Sequence, residues 1–297
     1  MTSETSDVHA RFGTIGIWSG ALHPADPGRR GEVSEAVAEL DELGYGTLWI
    51  GGSPSMEEVV PVVDATRRIT VATGILSIWQ HSAADVAEQI ARIEKRHPGR
   101  FVLGIGVSHD ALTPQYARPY SEMVAYLDAL DAASDPVPAA RRVLAALGPK
   151  MLKLSAARAA GAHPYLVTAE HTAQARATLG PDALLAPELK VVLDTDLDRA
   201  RTVARETLSM YLQLPNYTSN LLRLGFEEAD FTGGGSNRLL DALFALGDLD
   251  TARARVDAYR AAGADHVALQ VLTADPHSDL PRAEWRELAA AFSLGRP

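Results

Sequence analysis

The sequence predicts an α/β fold, a (β/α)8 TIM barrel built as one domain. Short runs of β-branched and aromatic residues alternate with segments whose apolar residues recur at helical spacing, along nearly all of the 297 residues. About eight such strand–helix pairs fit the chain, whose length is close to the ~250 residues typical of this barrel. Strands separated by helices pair in parallel through right-handed crossovers. A doubly wound open sheet explains the alternation nearly as well, but the strand number and the absence of a two-domain break favour the barrel.

The first unit shows the pattern that the rest of the chain repeats. Gly13–Ser19 reads GTIGIWS and predicts a strand. After a loop rich in proline and glycine, apolar residues recur at helical spacing in Glu32–Leu43, which predicts a helix with one apolar face. Gly44 is a typical helix end. Gly46–Ile50 then predicts the second strand.

The later units follow in the same order. Six further strands are predicted at Ile69–Ile75, Phe101–Val107, Val143–Ala146, His163–Thr168, Leu189–Leu193 and His266–Val271. Further helices are predicted at Met56–Thr66, Ala84–Arg96, Tyr120–Ala132, Met151–Ala160, Thr172–Leu179, Asp196–Leu212, Asp250–Ala262 and Arg282–Phe292. Within the single domain of residues 1–297, we expect a flexible N-terminus at residues 1–12 and an insert at residues 213–249, which begins with a helical stretch.

Composition excludes several classes of function. The chain has no cysteine, so disulfides, cysteine-ligated zinc, iron–sulfur clusters and thiol nucleophiles are ruled out. The net charge of −10 argues against nucleic acid as a partner, although backbone N–H groups could still hold one small anion. The nine histidines lack metal-ligand spacing, so no metal is expected. With no apolar run near the ~20 residues of a membrane helix and a polar start, we expect a cytoplasmic protein without a membrane partner.

Two partial motifs are weak matches. Gly104-Ile105-Gly106 begins a dinucleotide-binding G-x-G-x-x-G motif, but His109 stands where the third glycine belongs. The stretch Gly106-Val107-Ser108-His109-Asp110 is similar to the nucleophile motif G-x-S-x-G, but Asp110 replaces the second glycine. A hydrolase that uses Ser108 therefore remains an alternative.

In a barrel, functional residues lie at the carboxyl ends of the strands. In this chain those positions are rich in Trp, Gly, Ile and Ser and hold few ionisable groups. A pocket of this kind suits a flat, mostly apolar ring system, which would carry the chemistry while the protein binds and orients it.

Three glycine-containing segments at strand ends, together with their order and spacing, carry a family resemblance. They are Gly74-Ile75, FVLGIGVS at residues 101–108 and LGPKMLKLSAARAAG at residues 147–161. The chain resembles the luciferase-like monooxygenase superfamily, and within it the actinobacterial branch that uses the deazaflavin coenzyme F-420. The loop WIGGSP at residues 49–54 is similar to one compact subfamily of that branch.

The resemblance implies a set of cofactor-binding residues. Gly74-Ile75 matches the place where the family holds a non-prolyl cis peptide as a bulge behind the coenzyme ring. The segment Ala145, Ala146, Leu147 and Gly148, with Lys150, matches the segment that lines the ring edge and the coenzyme phosphate. Gly106 and Ser108 belong to the same expected cofactor site.

The resemblance also implies a catalytic residue and a substrate pocket. His109 matches a position that handles a proton beside the hydride site, which an imidazole can do. The expected substrate pocket contains Trp18, Ser53, His81 and Gln270. Many relatives have an Asp-His pair at the end of the second strand, where this chain has Gly52 and Ser53, so a sugar-phosphate substrate is not expected.

The leading hypothesis is an oxidoreductase that transfers a hydride between coenzyme F-420 and a small organic substrate. An alternative of the same fold is an FMN-dependent monooxygenase that uses reduced flavin and oxygen. A further alternative is a non-redox barrel, either the Ser108 hydrolase or a ligand-binding protein. The family often dimerises through barrel helices, so a homodimer is a further expectation.

Overall fold

The computed structural model describes residues 10–23, 27–273 and 279–295. Eleven strands form one parallel sheet within this part of the chain. They are β1 Ile15–Ser19, β2 Thr47–Ile50, β3 Thr70–Thr73, β4 Leu76–Ser77, β5 Phe101–Gly106, β6 Arg142–Leu144, β7 Gly161–Ala162, β8 Leu184–Leu185, β9 Glu188–Leu193, β10 Phe244–Gly247 and β11 Val267–Val271. The predicted parallel α/β architecture is confirmed, but the predicted number of eight strands is not the number observed.

Helices alternate with the strands. They are α1 Arg30–Leu43, α2 Met56–Asp64, α3 Ala83–Arg96, α4 Pro119–Asp131, α5 Pro149–Arg158, α6 Ala169–Leu179, α7 Leu197–Tyr211, α8 Pro215–Arg223, α9 Asn237–Leu243, α10 Leu249–Ala261 and α11 Arg282–Ala291. Many of them begin at a side chain that accepts a backbone hydrogen bond, as in the capping box of Ser55 and Glu58 before α2. Gly44, with φ of 88°, ends α1 in the left-handed conformation that glycine tolerates. No helix in the described ranges is both long and apolar enough to span a bilayer.

The sheet curls toward a barrel. Its order is β10-β9-β11-β1-β2-β3-β5-β6-β7-β8, with β4 paired to β5. Just two residues separate β8 from β9, and the N–H of Ala186 in this gap donates to the carbonyl of Ala162. The carbonyl of Pro187, in the same gap, accepts from the N–H of Ala268. Residues 184–193 therefore lie beside β7 at one end and beside β11 at the other.

The strand count differs from the prediction for local reasons. The third predicted strand is interrupted between β3 and β4, and residues 184–193 form the two segments β8 and β9. The predicted strand His163–Thr168 is wrong, because the strand at this place is β7 and residues 163–168 are irregular. Pro164 has no N–H to donate to a neighbouring strand, and Leu166 has a positive φ of 54°. Within residues 213–249, expected to be an insert, β10 is a strand of the sheet that pairs with β9.

Side chains inside the curled sheet fill its N-terminal end. Trp49 points inward, whereas its neighbours Leu48 and Ile50 pack against the helices, as expected for the alternation of a strand. The indole of Trp49 is stacked between Phe12, at 5.8 Å, and His163, at 4.1 Å between ring centroids. Of the N-terminus that we expected to be flexible, residues 1–9 lie outside the described residues. Residues 10–12 are helical and Phe12 is fully buried, which corrects the expectation for these residues.

Candidate active site

A cavity of about 1400 Å³ opens at the carboxyl ends of the strands. All predicted site residues except two line it, namely Trp18, Ser53, Gly74, Ile75, Ser108, His109, Ala145, Ala146, Leu147, Gly148, Lys150 and Gln270. They come from six separate places in the sequence. The fold brings them together because parallel strands end at the same edge of the sheet.

Gly106 and His81 are the two predicted residues that do not line the cavity. Gly106 lies beneath Ile75, and a Cβ at this position would be 2.8 Å from Ile75 Cδ1 and 3.1 Å from Ala145 Cβ. Gly106 therefore allows close packing behind the cavity surface instead of meeting a ligand directly. His81 is half-buried in the turn that precedes α3, outside the cavity lining.

One side of the cavity, which we call the Ile75 wall, is formed by Gly74, Ile75 and Ala145. The peptide bond between Gly74 and Ile75 is cis, as the family resemblance implied. The Ile75 side chain covers Gly106 and presents an apolar surface beside Ala145. This wall can support one face of a flat ring system.

Trp18 is fixed at the edge of the Ile75 wall. Its indole Nε1–H donates a hydrogen bond of 2.8 Å to the carbonyl of Gly74. A Cβ at Gly51 would be 2.3 Å from the Trp18 ring, and one at Gly74 would be 2.7 Å from Nε1. The indole therefore needs glycine at both strand ends.

The N-terminus of α5 lies at the cavity end formed by Gly148 and Lys150. Gly148 is the N-cap, no side chain caps this helix, and no acidic residue lies in its first turn. Unpaired N–H groups at a helix N-terminus favour an anion. His171 holds the preceding loop, because its Nε2 lies 2.9 Å from the carbonyl oxygen of Leu147. Burial lowers the pKa of His171, so the ring stays neutral and donates from Nε2.

His109 follows β5 and is half-buried at the cavity surface. Burial lowers the pKa of His109, so its imidazole is neutral at pH 7. Its Nδ1 lies 3.3 Å from Nδ2 of Asn216, the second residue of α8. With Nδ1 accepting from this amide, the proton of the neutral ring resides on Nε2. The neutral ring can therefore donate a hydrogen bond from Nε2, and it becomes a proton donor once it is protonated to the imidazolium.

Ser108 and Ser53 both have positive φ, of 56° and 57°. Ser108 resembles a nucleophile serine in this respect, but among the described residues its hydroxyl has no hydrogen bond to a histidine base. The hydroxyl of Ser53 donates to Gln80 Oε1 at 2.7 Å and accepts from the N–H of Ser77 at 2.9 Å. Ser53 thus mainly holds its own loop at the cavity edge.

Another part of the cavity lining, which we call the tyrosine wall, consists of Tyr165, Tyr211 and Tyr217. The hydroxyl of Tyr165 donates to Gln270 Oε1 at 2.8 Å and lies 2.9 Å from the hydroxyl of Tyr211. Because its own proton goes to Gln270, Tyr165 accepts the proton of Tyr211. Burial raises the pKa of all three phenols, that of Tyr211 to about 12, so they are uncharged at neutral pH.

A buried ion pair lies behind the tyrosine wall. Glu188 and Lys190, two residues apart on β9, are 1% and 0% exposed, and Lys190 Nζ is 2.9 Å from Glu188 Oε1. Burial raises the pKa of Glu188 and lowers the pKa of Lys190, while their mutual attraction opposes both changes. The other carboxylate oxygen of Glu188 accepts the N–H of Leu166 at 3.1 Å, which fixes the backbone next to Tyr165.

Sequence reasoning missed the tyrosine wall and the ion pair. Tyr211 ends α7 and Tyr217 lies on α8, so their positions at the cavity depend on how these helices cross the strand ends. The signal that the sequence did contain was the charged pair in ELKVVL, since two opposite charges at alternate positions of a buried strand face the same side. In the described part of the chain, no three His, Asp or Glu side chains are grouped to hold a metal ion.

The fold and the site define a TIM-barrel-like α/β protein with a ligand cavity at its strand ends, the place where barrel enzymes have their active sites. The chain belongs to the luciferase-like monooxygenase family, whose family model matches residues 11–266. The family assignment based on the glycine-containing segments is therefore confirmed.

Three similar proteins illustrate the range of this fold. The 4-hydroxyprotoasukamycin monooxygenase of Streptomyces nodosus subsp. asukaensis is 33% identical over 105 residues, a match that covers 31% of this chain and 28% of that protein. An F-420-dependent secondary alcohol dehydrogenase in complex with an F-420–acetone adduct has a TM-score of 0.70 at 13% identity, with 96% of this chain and 99% of that chain covered. The FMN complex of the oxygenating constituent of 3,6-diketocamphane monooxygenase from Pseudomonas putida has a TM-score of 0.64 at 12% identity, with 95% and 97% covered. At these identities the two structures share the fold with this chain.

Proposed function

We propose that this protein is an oxidoreductase that transfers a hydride between the deazaflavin coenzyme F-420 and a small organic substrate. The observation that carries the proposal is the pairing of two features in one cavity. An apolar wall of Ile75 and Ala145 lies near a helix N-terminus, at Gly148 and Lys150, that has no side-chain cap. The wall suits a flat ring, and the helix end suits a phosphate.

The residues present fit such a coenzyme. A volume of about 1400 Å³ exceeds the ~300–1,000 Å³ of a cleft for one ligand, so the cavity has room for a three-ring coenzyme and a second molecule. Gly106 lets Ile75 pack closely into the wall that would support the coenzyme ring, and the His171 contact orients the loop at Leu147. Lys150 is exposed and would add a positive charge beside the helix N-terminus.

The bound coenzyme would supply the hydride chemistry, and the protein would bind, orient and manage one proton. His109 is the residue assigned to that proton, because it lines the same cavity and its imidazolium form could donate a proton from Nε2. Asn216 would keep Nδ1 of His109 occupied, so that Nε2 faces the reaction.

The test is a fluorescence titration of the purified protein with reduced F-420 and, separately, with FMN. We expect saturable binding of F-420 that is weakened in Lys150→Met, because the phosphate loses a charge partner. Lys95→Met, in the last turn of α3, is the matched control and should bind like the wild type. If neither F-420 nor FMN binds to the folded protein, the proposal is wrong.

A second candidate is an FMN-dependent monooxygenase, favoured by the 33% identity to a monooxygenase over 105 residues. It uses the same cavity and the same wall. Binding of FMN in preference to F-420, together with oxygen consumption when reduced flavin is supplied, would replace the first candidate by this one.

A hydrolase that uses Ser108 has less support, since no histidine is hydrogen-bonded to that serine among the described residues. Labelling with a serine-directed phosphonate tests it, and Ser108→Ala is the control. Labelling of the wild type alone would favour the hydrolase over both redox candidates.

A further inference from the structure

We propose that the tyrosine wall, together with Gln270, recognises an uncharged, flat aromatic substrate that carries a hydroxyl or carbonyl oxygen. The proposal rests on the proposed function for the reaction that follows binding. The binding of the aromatic molecule is argued from the geometry of the wall alone.

Two polar groups on this side of the cavity have no protein partner. The Tyr217 hydroxyl makes no hydrogen bond to any described residue, and the same holds for Nε2 of Gln270, whose Oε1 is used by Tyr165. The two side chains are 6% and 7% exposed and line the cavity. Neither the Tyr217 hydroxyl nor Gln270 Nε2 is a solvent-inaccessible atom, so a ligand in the cavity can reach both. Buried polar groups normally find a partner, so these two are free to bind a ligand oxygen.

The charges near the wall argue for an uncharged ligand. Lys190 and Glu188 neutralise each other, and the second carboxylate oxygen of Glu188 is taken by the N–H of Leu166. In the described ranges, three Lys, Arg, Asp or Glu side chains line the cavity, and all three are exposed. They are Lys150, Glu206 and Arg223. A charged group placed against the tyrosines would lose its hydration without gaining a partner.

The rings of the wall argue for a flat aromatic ligand. Trp18 and Tyr165 lie 5.1 Å apart at 50°, Tyr165 and Tyr211 5.5 Å apart at 48°, and Tyr211 and Tyr217 5.4 Å apart at 89°. His109 adds a ring 5.1 Å from Tyr217. Rings set at such angles present both faces and edges, and an inserted aromatic ring can make offset or edge contacts with them. The oxygen of the bound ligand would then form hydrogen bonds with the Tyr217 hydroxyl and with Gln270 Nε2.

The experiment measures binding to the cofactor-free protein by equilibrium dialysis, with four probes. They are 2-naphthol, its isostere 2-methylnaphthalene, the anion 2-naphthoate and the aliphatic 1-decanol. We expect 2-naphthol to bind tightest, with 2-methylnaphthalene about 2- to 10-fold weaker because it cannot form the hydrogen bond. Equal affinity for these two, or tighter binding of 2-naphthoate or 1-decanol, would overturn the proposal.

Variants locate the site. Tyr217→Phe and Gln270→Leu should each weaken 2-naphthol about 2- to 10-fold and leave 2-methylnaphthalene unchanged. Tyr126→Phe is the matched control, because Tyr126 is 9% exposed, its hydroxyl is unpaired among the described residues and it lies outside the cavity lining. An equal loss in Tyr126→Phe, or no loss in both site variants, contradicts the proposal.

The outcome is distinguishable from a failure of the proposed function. Tighter binding of 2-naphthol than of 2-methylnaphthalene, without any binding of F-420 or FMN, would support the aromatic site and reject the redox assignment. Binding of a coenzyme without discrimination among the four probes would keep the redox assignment and reject the aromatic site.

Discussion

The amine of Lys190 lies 3.8 Å from the centroid of the Tyr165 ring while it pairs with Glu188. One buried cation thus contacts both the carboxylate that fixes the backbone after Tyr165 and the ring that faces the cavity. The pair holds a wall of the site in place from behind, which makes its removal a test of how the wall is supported.

Lys190→Met should destabilise the protein by about 3–5 kcal/mol, because Glu188 is left buried without a partner. Since protonation neutralises Glu188, the loss should be smaller at pH 5.5 than at pH 8. Urea unfolding at both pH values measures it. The double variant Glu188→Gln/Lys190→Met should recover most of the stability, and a single variant as stable as the wild type would contradict the assignment.

Two histidines in the barrel interior should make the protein sensitive to mild acid. Burial lowers the pKa of His163 and of His266 to about 4, below the ~6.5 of an unfolded chain. As the pH falls from 6.5 to 4, the unfolded chain binds protons that the folded chain does not, so the free energy of unfolding decreases. Each histidine contributes a slope of up to about 1.4 kcal/mol per pH unit.

Unfolding at a series of pH values between 7 and 5 tests this slope. His163→Phe, which keeps a ring stacked on Trp49, should remove one histidine's share of it. An unchanged slope in this variant would show that His163 is not the group that titrates.

His109→Gln should lower turnover by about 10²- to 10⁴-fold with little change in coenzyme affinity, because a positioned proton donor is lost. The measurement is coenzyme oxidation with an accepted substrate. Because burial lowers the pKa of His109 and only the protonated ring can donate a proton, wild-type turnover in the direction of coenzyme oxidation should rise as the pH falls from 8 to 6. His81→Ala, outside the cavity, is the control, and equal losses in the two variants would reject the role.

Gly106→Ala should weaken coenzyme binding by about tenfold while the fold is kept. The added methyl group would lie 2.8 Å from the flexible end of Ile75 and push that side chain toward the cavity. Coenzyme titration measures the effect, and circular dichroism checks the fold. Gly31→Ala, on the exposed first turn of α1 with no atom within 4 Å of the new Cβ, is the control and should bind normally.

The sequence by itself determined the parallel α/β class, the family and much of the Ile75 side of the site. These features are local, because strand–helix alternation and short glycine-containing segments lie within a few residues of each other. Gly148 and Gly74-Ile75, which were identified from the sequence, both line the cavity.

The tertiary structure alone decided the other half of the site. Tyr165 is hydrogen-bonded to Tyr211 and to Gln270, which lies 105 residues later in the chain. Nothing in the local pattern brings α7 and α8, with Tyr211 and Tyr217, over the strand ends. The interior stack of Phe12, Trp49 and His163 likewise joins residues that no local pattern connects. Their positions follow from burial, since polar and aromatic groups that leave water must find partners wherever the folded chain supplies them.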